Sequence, residues 1–291
     1  MESLKNCPIS DSPKLEKHAE IRDHFLSKEV FSLEKCSESK LLITNPRPDE
    51  NSIVKYYKSD SYISHSNESR SITSSIYKLV RNYTIGQKLK MIERFSFKGQ
   101  LLDYGCGTGH FLEKAQQKGW EVQGVEPDST ARENQASSLQ GKVAESLSGI
   151  QEGAQFNVIT LFHVLEHVHR LDETMQTLIG MLQRNGVLFL ALPNHESHDA
   201  QHYGGYWAGY DVPRHLYHFN QRAVFQLSKK YGLNIVSTIP MKFDSYYVSM
   251  LSEKYMGNSM SFVKGLINGY KSNRRAKRTK EYSSLIYVLT K

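Results

Sequence analysis

Residues 101–109, Leu-Leu-Asp-Tyr-Gly-Cys-Gly-Thr-Gly, constrain this chain more than any other stretch. An apolar pair leads into an acid, and three glycines then alternate with other residues. Phe111, Leu112 and Ala115 follow at helical spacing. The pattern predicts a strand, a tight turn and a helix. Glycine lets the backbone take positive φ and come close to a ligand. The helix N-terminus behind it offers unpaired N–H groups and a positive dipole end. The spacing departs from the dinucleotide fingerprint Gly-x-Gly-x-x-Gly, because His110 stands where the third glycine would fall. Asp103, two residues before the first glycine, suits an ammonium group and would repel a pyrophosphate.

The chain continues in α/β alternation. Residues 122–126 read as a second strand, followed by Pro127 and a helix from about Ser129 that Asp128 or Ser129 can cap. Glu126 closes that strand 17 residues after Gly109, where a carboxylate can accept hydrogen bonds from both hydroxyls of a ribose. Residues 142–145 read as a short third strand ending in Glu145. Residues 156–162 are a buried strand by their continuous apolar character, and His163-Val-Leu-Glu-His167 follows directly. An amphipathic helix is expected over 172–184, stopped by Asn185-Gly186, and a buried strand over 187–192. Asn220 is expected to cap a helix reaching Tyr231. The last two strands, 235–239 and 284–289, enclose an insertion, 240–283, with two helical parts and then a basic run.

Residues 195–219 hold four tyrosines, five histidines and Trp207, and end in Asp211-Val-Pro-Arg-His-Leu-Tyr-His-Phe219. They follow a central strand, at the edge where open α/β sheets bind ligands. His215 is the first candidate for a general base, with His163 and His167 beside the fourth strand as further candidates. Arg214 could hold an anionic group bidentately, and Tyr206 and Trp207 could stack on a ring. The same residues could equally form a structural loop.

Residues 1–48 stand outside the α/β pattern. Cys7-Pro-Ile-Ser10 and Cys36-Ser-Glu-Ser39 are two Cys-x-x-Ser turns around a β-like stretch, 24–33. With cysteine in place of both serines they would read as a zinc ribbon. A hydroxyl is a poor zinc ligand, so the expectation is a ribbon-like hairpin with no metal. Asn45-Pro-Arg-Pro48 marks a boundary. An aromatic leader that includes Tyr57, Tyr62 and His65, and a helix over 71–94, follow.

The net charge of +7 is local: six basic residues lie between Lys271 and Lys280, and the rest of the chain carries only +1. Three scattered cysteines make no disulfide framework. The N-terminus lacks an apolar signal region, and no run approaches the roughly 18 apolar residues of a membrane helix. A cytoplasmic protein without a membrane partner is expected.

Asp103-x-Gly105-x-Gly107-x-Gly109 resembles motif I of class I S-adenosylmethionine-dependent methyltransferases, and 163–169 resembles their motif IV. The 211–219 run is similar to a bacterial small-molecule branch, methyltransferase type 23 or ubiquinone-O-methyltransferase-like, whose leader the N-terminal module resembles in degenerate form. The resemblance implies a Rossmann-like, doubly wound seven-stranded sheet over 95–291, with an N-terminal β-hairpin module, a helical leader over 49–94 and a helical insertion before the last strand. It implies S-adenosylmethionine as cofactor, S-adenosylhomocysteine as product and no metal. Asp103, Gly105, Gly107, Gly109, Glu126, Pro127, Glu145, Phe162 and His163 would hold the donor. Tyr62, Tyr206, Trp207, Asp211, Arg214 and His215 would hold a small-molecule acceptor, methylated on O or N. Two other readings stay open: a nucleic-acid methyltransferase using the basic run, and a non-catalytic subunit of the same fold. Monomer and homodimer are both compatible.

Overall fold

A computed structural model describes residues 1–57 and 72–291, apart from the side chains of 72–80. Tyr62 and His65 lie outside the described residues. The described parts form two compact units: 1–57, 163–172 and 190–288 make the first, and 72–162, 173–189 and 289–291 the second.

In the first unit, β1 (Leu15–Arg22) and β2 (Val30–Cys36) form an antiparallel hairpin, and β3 (Leu42–Thr44) pairs with β2. The expected strand over 24–33 is half turn. Asp23 accepts the N–H groups of Phe25, Leu26 and Ser27 at 2.8–3.1 Å and holds 24–27 out of the ladder. The two Cys-x-x-Ser turns meet at the base of the hairpin, with Cys7 Sγ 3.2 Å from Ser39 Oγ and Cys36 Sγ 3.3 Å from Ser10 Oγ.

The second unit carries β4 (Gln100–Tyr104), β5 (Glu121–Val125), β6 (Val143–Ala144) and β7 (Phe156–Phe162). β4 pairs in parallel with β5 and β7, and β5 with β6, as βαβ crossovers require. α1 (Ile72–Ile92) precedes this set, α2 (His110–Gln117) follows β4 and α3 (Ser129–Glu133) follows β5. Asp128 caps α3 by accepting Thr130 N–H at 2.9 Å.

After β7, α4 (Leu171–Met181) is shorter than expected, and β8 (Leu182–Pro193) starts before Asn185-Gly186 instead of after it. The cause is lateral: Asn157 on β7 donates to Gln183 Oε1 at 2.8 Å, which draws these polar residues into extended backbone. β9 (Tyr217–His218), β10 (Asn234–Pro240) and β11 (Ser284–Thr290) complete two sheets. Their orders are β1-β2-β3-β9 and β10-β11-β8-β7-β4-β5-β6. The mixed α/β fold is thus a seven-stranded Rossmann-like sheet, and β9 joins residues 217–218 to the N-terminal strands through Leu42↔His218 and Ile43↔Tyr217.

Within the first unit, α5 (His198–Tyr203) and α6 (Gln221–Lys230) follow β8. Buried Asn220 caps α6 through Ala223 N–H at 2.7 Å and donates to Glu196 at 2.7 Å. Asn220→Ala is expected to lower stability by about 1–2 kcal/mol, read as a shift in the urea midpoint. The insertion is a helical hairpin of α7 (Asp244–Tyr255) and α8 (Ser261–Thr279). A Cβ on Gly265 would fall 2.5 Å from Met250 Cα, and one on Gly269 2.7 Å from Tyr246 Cα, so only glycine lets the helices pack this closely. The basic run is not a loop: α8 extends to Thr279, because Ser272 and Ala276 are buried and Ser272 donates to Asp199 at 2.6 Å. Among the described residues no helix is long and apolar enough to cross a membrane.

Candidate functional site

The C-terminal ends of β7, β4 and β5, neighbours in the sheet, bring together Phe162, Asp103 and Glu126 in the second unit. All three glycines of the turn have positive φ, at 76°, 54° and 75°, so each needs the freedom that glycine has. Gly105 N–H donates to Val125 O at 2.7 Å, Gly109 N–H to Cys106 O at 3.0 Å, and Gly107 N–H to Glu126 Oε2 at 2.7 Å. Glu126 Oε1 also accepts Asp128 N–H at 3.0 Å. One lone pair on each oxygen is thereby engaged, which fixes the carboxylate and leaves a second on each for a diol. Burial raises the Glu126 pKa against the two N–H groups that lower it.

Asp103 is 4% exposed and accepts the Thr160 hydroxyl at 2.6 Å, across the register pair β4–β7. Burial pushes its pKa up to about 7, against the opposing pull of Thr160 and the Lys88 ammonium. Lys88 Nζ lies 4.0 Å above the Phe162 ring centroid, and Phe111 meets Phe162 edge-on at 5.3 Å. Pro127 presents its carbonyl to Arg132 Nη1 at 2.8 Å. Glu145 projects from the end of β6, 75% exposed, 3.6 Å from Arg132 Nη2. Sequence reasoning missed Thr160, Lys88 and Gln135, whose Nε2 donates to Gly107 O at 2.7 Å. No linear spacing signals these three.

In the first unit, His163 follows Phe162 and takes φ +59°, a left-handed conformation costly for a non-glycine residue. Its Nε2 lies 3.1 Å from Asp244 Oδ2 and its Nδ1 3.6 Å from Glu166 Oε1. Burial lowers its pKa, but the two carboxylates prevail and raise it to about 9. The protonated ring pairs with both carboxylates and in that state offers no lone pair for base chemistry. His167 is the opposite case: burial lowers it to about 4, with His215 adding to the effect. Its Nδ1 lies 3.0 Å from both Arg214 O and Tyr57 Oη. His215 Nδ1 lies 3.0 Å from Gly209 O.

Arg214 does not wait for a substrate. It is 1% exposed, and every guanidinium N–H is engaged, by Asp211 at 2.7–3.1 Å, Asp23 at 2.9–3.4 Å and Tyr56 O at 3.1 Å. Burial raises the Asp23 pKa, but Arg214 and Ser27 N–H outweigh it and hold it at about 2. Asp211, proposed from sequence for the acceptor, is the other half of this pair. Trp207 is likewise core, 2% exposed, with Nε1 donating to Asp199 at 2.9 Å. Tyr206 is exposed and stacks on His24 at 4.7 Å between ring centroids.

Residues 80–238 match a family model described as a methyltransferase domain. A comparison with curated protein sequences gives no match. The chain is similar in structure to magnesium protoporphyrin IX methyltransferase from Synechocystis PCC 6803 with bound S-adenosylhomocysteine. That alignment has 14% identity and a TM-score of 0.53, over 83% of this chain and 99% of the other. It is also similar to phosphoethanolamine N-methyltransferase 2 of Haemonchus contortus in complex with S-adenosyl-L-methionine, at 16% identity and a TM-score of 0.48. There 71% of this chain is covered but only 52% of the other, so the chain spans about half the length of that enzyme. A third neighbour is a SAM-dependent methyltransferase from Archaeoglobus fulgidus, at 17% identity and a TM-score of 0.47, over 72% of this chain and 94% of the other.

Proposed function

The chain belongs to the methyltransferase-domain family, and on that premise we propose that it transfers the methyl group of S-adenosylmethionine to an oxygen or nitrogen of a small-molecule acceptor. The observation that carries this reading is the Glu126 carboxylate, clamped by Gly107 N–H and Asp128 N–H and still able to accept two hydroxyls. Asp103 takes the ammonium of the donor, and the turn from Gly105 to Gly109 passes against its amino-acid part. Pro127 shapes the ribose side, and Glu145 and Phe162 flank adenine and sulfonium.

The sulfonium already activates the methyl group, so the protein contributes placement and orientation. An acceptor lone pair forms the new bond to the methyl carbon as the carbon–sulfur bond breaks, leaving neutral S-adenosylhomocysteine. A hydroxyl acceptor must also lose its proton. The segments 163–167 and 206–215 are the acceptor side of this reading, with exposed Tyr206 as the ring-stacking surface. His167 and His215 supply the nitrogen lone pairs, and Tyr62 remains a candidate there. Arg214, Asp211 and Trp207 act through the frame they build.

Transfer of a labelled methyl group to a panel of phenols, carboxylic acids and amines tests the proposal. Glu126→Ala is expected to raise the KM for S-adenosylmethionine about a hundredfold, given roughly 1.5 kcal/mol or more for each hydrogen bond to a charged group. Transfer to none of the panel, with labelling of RNA instead, would favour a nucleic-acid acceptor. The observation behind that second reading is the exposure of all six basic residues from Lys271 to Lys280, five on α8 and Lys280 at its end.

A further inference from the structure

Glu166 is fully buried in the first unit, and among the described residues neither of its carboxylate oxygens has a hydrogen-bond partner. The His163 ring lies 3.6 Å from Oε1, beyond hydrogen-bond reach, and leans instead on Asp244 at 3.1 Å. Burial alone would raise its pKa, but the His163, His215 and His167 rings around it outweigh burial and lower it, so the group stays a carboxylate. His167 and His215 stand beside it. One ring nitrogen of each and one Glu166 oxygen lie within 4.8 Å of one another, and the two rings meet edge-on at 4.5 Å between centroids.

The tautomers of the two rings are set by the backbone. Nδ1 of His167 faces Arg214 O and Nδ1 of His215 faces Gly209 O, each at 3.0 Å. A carbonyl oxygen only accepts, so these contacts assign the hydrogen to both Nδ1 atoms, with Tyr57 Oη, also 3.0 Å from His167 Nδ1, as a second acceptor there, and leave a lone pair on both Nε2 atoms. Histidines that bind metals are held in this way, with the second nitrogen donating to a carbonyl or carboxylate. The main chain fixes the pieces to each other, because Leu216 N–H donates to Glu166 O at 2.8 Å.

We propose that Glu166, His167 and His215 form a binding site for a divalent transition metal of the zinc type. Two imidazoles and one carboxylate are a donor set zinc accepts, with bonds of about 2.0–2.2 Å, so binding draws the three groups inward. Three protein ligands leave a coordination position open. A hydroxyl held there would have its pKa lowered toward neutrality and would release its proton to solvent, since the lone pairs of His167 and His215 would then be on the metal. Any use of that step in methyl transfer rests on the function proposed above, whereas metal binding does not, and it is measured with no S-adenosylmethionine present.

The test titrates the chelator-stripped full chain with Zn²⁺ against a chromophoric competitor, and with Co²⁺ followed by absorption. One equivalent of Zn²⁺ is expected to bind the wild type. Glu166→Gln is expected to weaken binding about a hundredfold, and the double variant Cys7→Ser, Cys36→Ser to leave it unchanged, which separates this site from the cysteine turns. The Co²⁺ form of the wild type is expected to show d–d bands without a thiolate charge-transfer band, a readout that does not depend on how any variant folds. Absence of stoichiometric binding by the wild type, undiminished binding by Glu166→Gln, or a thiolate band would overturn the proposal.

Discussion

Replacing Asp103 by alanine is expected to weaken S-adenosylmethionine binding by about a hundredfold or more, and asparagine by nearly as much. The carboxylate closes β4 with 4% exposure, and among the described residues the Thr160 hydroxyl at 2.6 Å is its one short hydrogen bond. A charge-assisted contact to an ammonium in so dry a place is worth roughly 3 kcal/mol, which is a factor of about a hundred. The pH dependence follows from the same burial. With the pKa raised to about 7, the unliganded site carries a proton below neutrality that an incoming ammonium must displace. Affinity should therefore fall by up to about tenfold per pH unit below 7 and level off above it, and Asp103→Asn should flatten the profile. Stability runs in the opposite direction. The folded pKa stands above the usual 3.8, so this group's contribution is fully present below about 4 and is lost as pH rises through 7. The loss is on the order of 4 kcal/mol at most. Urea denaturation of the unliganded protein at pH 8 should accordingly find Asp103→Asn more stable than the wild type.

The second large effect concerns Arg214. Asp23→Ala is expected to destabilise the protein by about 3–5 kcal/mol, since it leaves a buried guanidinium short of a partner. It also removes the acceptor for the N–H groups that hold the turn after β1. A lowering of the thermal midpoint on the order of 10 °C would accompany that loss. An unchanged midpoint, with acceptor binding lost instead, would return Arg214 to the substrate.

The donor half of the site is legible in the linear sequence because its logic is local. Alternating glycines at positive φ, an acid two residues upstream and an acid at the next strand end all follow from backbone geometry within one βαβ unit. The 195–219 run is different. Its aromatic and charged residues look equally fit for ligand binding and for a buried frame, and the choice depends on distant partners. Asp23, which claims Arg214, lies 191 residues away, and Thr44, which faces His218, lies 174 residues away. Asp244, which holds His163, sits in an insertion whose hairpin depends on the near contact of Gly265 and Gly269 with α7. The early start of β8 has the same origin, a lateral bond from Asn157 overriding the turn preference of Asn185-Gly186.

The central claim is that the β4 turn and the end of β5 bind the donor, and calorimetric titration of the wild type with S-adenosylhomocysteine tests it most directly. One site per chain is expected, weakened about a hundredfold in Asp103→Ala and in Glu126→Ala while both variants keep the wild-type circular dichroism. No binding by the folded wild type, or equal binding by wild type and both variants, would contradict it.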